Sequence, residues 1–183
     1  IKKGKSIAIM IDQRVREGIK TNFFGTLNVV KSCKKYKTYK LIFISTDKAV
    51  RPTNIMGASK RVAEQIFQCF AEESALQKKE NPEKDCSIFS MVRFGNVLAS
   101  SGSVVPLFKK QINNGGPITL THKDIVRYFM TIKEAVQLIL ITSTMTKGGD
   151  VLLLDMGEPV KIFSLAKQMI KLSGLTIKND SNP

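Results

Sequence analysis

Ile19, Phe23, Leu27 and Val30 recur at helical spacing over residues 15–33 and predict an amphipathic helix with those four side chains on its buried face. Residues 41–44, Leu-Ile-Phe-Ile, lack polar alternation, the pattern of a parallel strand covered on both faces. The helical period returns over 56–70 and turns Val62, Ala63, Ile66, Phe67 and Phe70 inward, with Asn54 placed as the N-cap. Residues 76–85 are rich in Lys and Glu and contain Asn81-Pro82, which predicts a loop. A strand over 87–92, a helix over 104–112 and a break at Gly115-Gly116-Pro117 follow. The last elements are a helix over 132–143, a strand over 151–154 and an amphipathic helix over 162–172, which Gly174 stops in the left-handed conformation. Strands alternating with helices in this order predict an α/β chain with a doubly wound parallel sheet.

Composition narrows the functional classes. The chain has 183 residues, 43% of them hydrophobic, enough for one core or a core with a small lobe. No apolar run approaches the length needed to span a bilayer, so no membrane contact is expected from this segment. Twenty-nine Lys and Arg against fifteen Asp and Glu leave a formal charge of +14, a balance that elsewhere points to nucleic acid. Here the lysines are spread over helices and loops without interleaved aromatic residues, and Lys greatly outnumbers Arg, so no nucleic acid is expected as partner. Cys33, Cys69 and Cys86 are widely spaced and read as free thiols. His122 is the sole histidine, which nearly excludes a Ser-His-Asp triad or a multi-histidine metal site and reads as a loop residue.

Residues 45–60 hold the most chemistry. The apolar strand delivers Ser45, Thr46, Asp47 and Lys48 where α/β sheets place their ligands, beyond the carboxyl ends of the strands. Met56 and Lys60 then share one helix face at i, i+4 spacing.

This stretch is similar to the pattern of the extended short-chain dehydrogenase/reductases that act on nucleotide sugars. Together with Lys-Thr-Asn-Phe-Phe-Gly at 20–25, Met-Val-Arg-Phe-Gly-Asn-Val-Leu at 91–98, Gly-Ser-Val-Val-Pro-Leu-Phe at 102–108, Arg-Tyr-Phe-Met-Thr at 127–131 and Leu-Asp-Met-Gly-Glu-Pro-Val at 154–160, it resembles the polysaccharide-biosynthesis branch, the UDP-N-acetylglucosamine 4,6-dehydratases and related epimerases. The resemblance implies an NAD(P)-binding Rossmann-like sheet with a small α/β substrate-binding lobe. Residues 1–100 would form the C-terminal part of the Rossmann-type domain, and 101–183 mainly the lobe, with elements returning to the sheet. The glycine-rich turn that receives a dinucleotide pyrophosphate at a helix N-terminus does not occur in these residues. The expectation is therefore that the first strands, and most of the NAD or NADP contacts, lie upstream.

The resemblance also implies residue roles. Lys60 and Asn22 would meet the cofactor, Asn22 having a buried polar helix position as its plain alternative. Asp47 and Lys48 would be the acid and base of the elimination, their pKa values drawn toward neutrality by burial, and Thr46 would hydrogen-bond the sugar C4 hydroxyl. Asn96 and Arg127 would approach the diphosphate, and Val104, Val105 and Pro106 the uracil. Met56 departs from the Tyr usual at its position in the superfamily, and a thioether cannot exchange a proton. Met here is nonetheless characteristic of the long membrane-anchored members of the branch; Lys48, Asp47 or a water held by Thr46 then remain as the C4 base. A UDP-sugar substrate is implied, as is a homo-oligomer for the full-length protein in the cytoplasm or on the cytoplasmic face of the inner membrane. A 4-epimerase and a cofactor-free, non-enzymatic remnant are the competing readings.

Overall fold

In the computed structural model, which describes residues 2–3, 15–98 and 103–178, a two-residue strand β1 (Lys2–Lys3) precedes helix α1 (Val15–Ile19), a π-helical stretch (Lys20–Gly25) and helix α2 (Thr26–Lys35). The wider π turn takes an extra residue, so the helix faces on its two sides are rotated against each other. That displaces Ile19 from the expected buried face: it is exposed, Phe23 and Leu27 are half-buried, and Val30 is fully buried. Strand β2 (Lys40–Thr46) leads through a 3-10 turn (Asp47–Ala49) into α3 (Ile55–Glu80), and β3 (Ile88–Phe94) follows. Next come β4 (Asn96–Val97), α4 (Val104–Asn113), β5 (Thr119–Leu120), β6 (Val126–Arg127) and β7 (Phe129–Met130). The order closes with α5 (Ile132–Met145), β8 (Val151–Leu153), β9 (Val160–Lys161) and α6 (Ile162–Leu172).

Helix α3 overturns two expectations. It continues to Glu80 through half of the stretch read as a loop, because Leu, Gln, Lys and Glu favour a helix as strongly as they favour solvent. It ends only at Asn81, directly before Pro82. Its buried stripe is Gly57, Ser59, Ala63, Glu64, Phe67 and Ala71, with Ile66 and Phe70 half-buried, whereas Val62 is exposed. Asn54 is the N-cap: its side-chain oxygen accepts from Gly57 N–H at 2.8 Å.

The chain divides into two compact units. The first, Ala8–Phe94 with Val136–Asp155, is built on a three-stranded parallel sheet of order β2-β3-β8, in which Ser45 pairs with Arg93 and Met91 with Val151. Phe89 and Met91 of β3 pack with Val30, Phe67 and Ala71, while Ser90 and Val92, which alternate to the other face, are also fully buried. The sheet is therefore covered on both sides at β3. Strand β2 pairs on one side only among the described residues, so Ile44 is 47% exposed rather than enclosed as its apolar run implied. The Lys40 ammonium donates to the carbonyls of Ser143 (2.6 Å) and Thr146 (3.0 Å), satisfying the carboxyl end of α5.

The second unit comprises Gly95–Ala135, Met156–Pro183 and the N-terminal residues that include β1. Its core gathers Phe108 and Ile112 of α4, Ile118, Leu120, and Ile162 and Ala166 of α6. Among the described residues three two-stranded pairings tie it: β1 with β5 and β4 with β7, both parallel, and β6 antiparallel to β9. Gly174 follows α6 at φ 73°, the left-handed stop the sequence predicts.

Candidate active site at the carboxyl end of strand β2

Thr46 ends β2 in extended conformation and turns the chain into the 3-10 segment, its hydroxyl oxygen accepting weakly from Lys48 N–H at 3.4 Å. The same hydroxyl donates to Asp47 Oδ1 at 2.9 Å, and the Lys48 ammonium donates to that oxygen, also at 2.9 Å. Thr46, Asp47 and Lys48 thus converge on one carboxylate oxygen beyond the end of a parallel strand. Burial alone would raise the Asp47 pKa, but the hydrogen bond and charge of Lys48, with the Thr46 hydroxyl, outweigh it and hold the carboxyl below its ordinary value. This corrects the expectation of a pKa drawn toward neutrality. Asp47 is exposed and sits against an ammonium, so its charged form is favoured.

Helix α3 begins against this turn. An ideal Cβ on Gly57 would stand 2.3 Å from the Lys48 carbonyl oxygen, so only a glycine lets the helix backbone approach so closely. Met56 is half-buried, and its carbonyl accepts from the Ser59 hydroxyl at 3.0 Å. Asn22, in the π-helical stretch, donates its side-chain amide to Ser59 at 2.9 Å. Asn22 therefore braces the first turns of α3.

Lys60 lies half-buried with its ammonium 4.8 Å from the centroid of the Phe43 ring. Burial pushes its pKa down, and the Glu64 carboxylate one turn further on partly opposes this. Its ammonium has no hydrogen-bond acceptor among the described residues. A desolvated cation with free N–H donors, lying over the middle of β2, has the chemistry to meet the hydroxyls of a ribose.

Glu64 is the residue sequence reasoning passed over. Its side chain is fully buried and takes hydrogen bonds from Arg93 Nε (2.7 Å) and Nη2 (2.6 Å), the Ser45 hydroxyl (2.7 Å) and Arg61 Nη1 (2.9 Å). Burial alone would raise its pKa; these donors, Arg93 foremost, bring it below the ordinary value. The available signal was a glutamate between Ala63 and Phe67 on the apolar stripe, four residues after Lys60.

The other candidates belong to the second unit. Asn96 on β4 is held to Tyr128, whose carbonyl accepts from its backbone N–H (3.2 Å) and its side-chain amide (3.3 Å). Val104 packs on that unit's core, Val105 is half-buried and Pro106 is exposed in the first turn of α4. Arg127 is exposed on β6, its guanidinium donating to the neighbouring Val126 carbonyl at 3.0 Å. His122 lies on an exposed loop, where its Nδ1 accepts from Asp124 N–H at 3.2 Å.

A cleft of about 830 Å³ lies elsewhere, at the amino ends of the strands, lined by Tyr39, Ile88, Lys37, Lys78, Lys79 and Lys147. Lysines near helix carboxyl ends answer the negative end of the helix dipole, so their clustering there follows from the architecture.

Comparison with known proteins identifies the family and the fold. Residues 5–183 match the family model described as polysaccharide biosynthesis protein. The capsular polysaccharide biosynthesis protein CapD of Staphylococcus aureus is 48% identical over 165 residues, 90% of this chain and 26% of that protein. The X-ray structure of Pen from Bacillus thuringiensis superposes with a TM-score of 0.79 at 32% identity, over 97% of this chain and 53% of that one. A dTDP-glucose 4,6-dehydratase from Bacillus anthracis, solved in complex with NAD, shares the fold with a TM-score of 0.73 at 18% identity, over 90% of this chain and 54% of that one. The fold is thus the Rossmann-like one, and the chain spans about a quarter of the length of the curated relative CapD.

Proposed function

This chain belongs to the polysaccharide biosynthesis protein family, and from that premise we propose that the full-length protein is an NAD(P)-dependent nucleotide-sugar 4,6-dehydratase of the UDP-N-acetylglucosamine type. The observation that carries the reading is the Asp47–Lys48 pair at the carboxyl end of β2, an ionised carboxylate and an ammonium 2.9 Å apart. Water loss across C5 and C6 of a sugar needs a base for the C5 proton and an acid for the departing C6 oxygen. A 4-epimerase needs neither, so the pair favours the dehydratase.

The bound nicotinamide would supply hydride acceptance from C4 and its return at C6. Asp47, kept charged, is the base at C5, and Lys48 gives its proton to the leaving hydroxyl. Thr46 orients the C4 hydroxyl by hydrogen bond, and a water held by Thr46 takes up the hydroxyl proton as the hydride departs. Lys60 would hold the cofactor ribose, and its positive charge stabilises a neighbouring oxyanion. Met56, unable to move a proton, shapes the wall beside the nicotinamide. Asn96, Arg127 and the first turn of α4 would bind the UDP moiety, Arg127 by the fork geometry suited to phosphate. In this reading the protein acts on the cytoplasmic side of the membrane as a homo-oligomer, in the building of a bacterial surface polysaccharide. No described helix is long and apolar enough to cross a membrane.

Mass analysis of the product formed by the full-length protein from UDP-N-acetylglucosamine tests the proposal. Loss of one water is the expected result. An isomer of unchanged mass would replace the dehydratase with an epimerase, and unconverted substrate in the presence of both NAD and NADP would overturn the reading.

A further inference from the structure

A glutamate buried completely in the wall between a helix and two strand ends is an unusual choice on grounds of stability. Removing a carboxylate from water is costly, and well-packed apolar residues often replace buried ion pairs without loss. Glu64 is in that situation, and its four donors come from three elements: Ser45 on β2, Arg93 on β3 and Arg61 on α3 itself. Ser45 and Arg93 are register partners in the sheet, and Ser45 immediately precedes Thr46. The carboxylate therefore clamps both strand ends at the level where the Thr46–Lys48 turn departs.

Helix α3 is fixed to this turn at a second point, where Gly57 meets the Lys48 carbonyl. Gly57 and Glu64 lie seven residues apart in the sequence, about two helical turns, and Lys60 lies between them. With both ends of that segment pinned, Lys60 has little freedom to slide or rotate relative to Thr46, Asp47 and Lys48. The Arg93 fork adds direction, because two parallel N–H donors fix the plane of the carboxylate as well as its position.

We propose that Glu64 is a positioning residue, which through Ser45 and Arg93 holds Lys60 and the Thr46–Lys48 turn in register with one another. The proposal rests on the dehydratase reading for its kinetic consequence, whereas its geometric consequence stands apart from any activity. Glu64→Gln keeps the shape but sets an amide N–H against an Arg93 donor, and Ser45→Ala cuts only the link to β2. Both act at a distance from any group that touches substrate, so the effect belongs in kcat and leaves KM nearly in place.

In the full-length protein, Glu64→Gln is expected to lower kcat by up to about 100-fold, the scale set by a misplacement of about 1 Å, with KM for the UDP-sugar within about 3-fold. Hydrogen exchange, measured without substrate, is expected to accelerate selectively at the amides of Lys48, Val50, Gly57 and Ala58 relative to those of β3. Ser45→Ala, a milder change that leaves the Arg93 pair intact, is expected to loosen Lys48 and Val50 in the same way; it decides the matter if Glu64→Gln does not fold. Exchange that is unchanged at the turn in a folded variant, or that rises uniformly over the unit, overturns the proposal. So does wild-type kcat in Glu64→Gln. Should the wild-type protein convert no nucleotide sugar, the functional reading fails alone, and the exchange measurement still decides the role of Glu64.

Discussion

The backbone of Gly57 lies so close to the carbonyl of Lys48 that a Cβ there would stand 2.3 Å from the oxygen and 3.2 Å from Pro52 Cβ. The obstacle is backbone, which cannot rotate away as a long side chain can. Gly57→Ala is expected to force the 3-10 turn and the first turn of α3 apart, at a cost of about 1–3 kcal/mol. The gain in helix propensity recovers at most about 1 kcal/mol of it. Urea denaturation of the variant checks the sign, and a stabilised protein would show that the approach is looser than described.

Lys48→Ala removes the ammonium from Asp47. In the full-length protein it is expected to reduce water loss by about 10²–10⁴-fold, the usual contribution of a placed acid or base, with substrate affinity within a few fold. Stopped assays with product mass as readout measure this, and an unchanged rate would remove Lys48 from the mechanism.

Met56→Leu keeps volume and polarity. It is expected to cost less than about 1.5 kcal/mol of stability and little rate, since the thioether moves no proton. Steady-state kinetics and thermal melts check both parts. A rate loss as large as that of Lys48→Ala, with the fold intact, would assign the sulfur a chemical role.

Lys60→Met is expected to raise the thermal midpoint at pH 7 while abolishing conversion. Burial lowers the Lys60 pKa from the ordinary 10.5 despite the opposing Glu64 charge. The folded state therefore binds the proton less readily than the unfolded chain. Its charged form opposes folding at neutral pH, and that penalty is relieved as pH rises through the folded pKa toward 10.5. Circular dichroism melts at pH 7 and pH 10 test this: the advantage of the variant should shrink at the higher pH.

Acid should unfold the protein through the buried Glu64 and the half-buried Asp150. Burial would raise the pKa of Glu64 and of Asp150. It is outweighed for Glu64 by Arg93, Ser45 and Arg61, and for Asp150 by the N–H groups of Gly148 and Lys147 and the Ser90 hydroxyl. Both folded values lie below the ordinary 4.5 and 3.8, so the unfolded chain takes up protons first. The stabilisation is present in full above those ordinary values and is lost as pH falls below them through the folded ones. The urea midpoint is expected to stay level down to about pH 5 and then to fall, less steeply in Glu64→Gln. A parallel fall in that variant would acquit Glu64.

The sequence by itself determined the elements whose signals are local. Asn54 caps α3, an apolar run makes β2 and delivers Thr46, Asp47 and Lys48 to its end, and α6 stops before a left-handed Gly174. Each depends on residues within a few positions of one another, where spacing and side-chain chemistry suffice. Tertiary structure alone decided the rest. Ile44 is exposed because β2 pairs on one side among the described residues, Ile19 because the π turn rotates its face, and the short pairings of β4 with β7 and β6 with β9 join distant segments. Glu64 shows the reason most clearly. On the helix alone it is a polar residue free to face water, and its burial becomes tolerable only once Arg93, 29 residues later, and Ser45, 19 residues earlier, bring their donors to it. A buried charge is a property of the assembled partners, and no window along the chain contains them together.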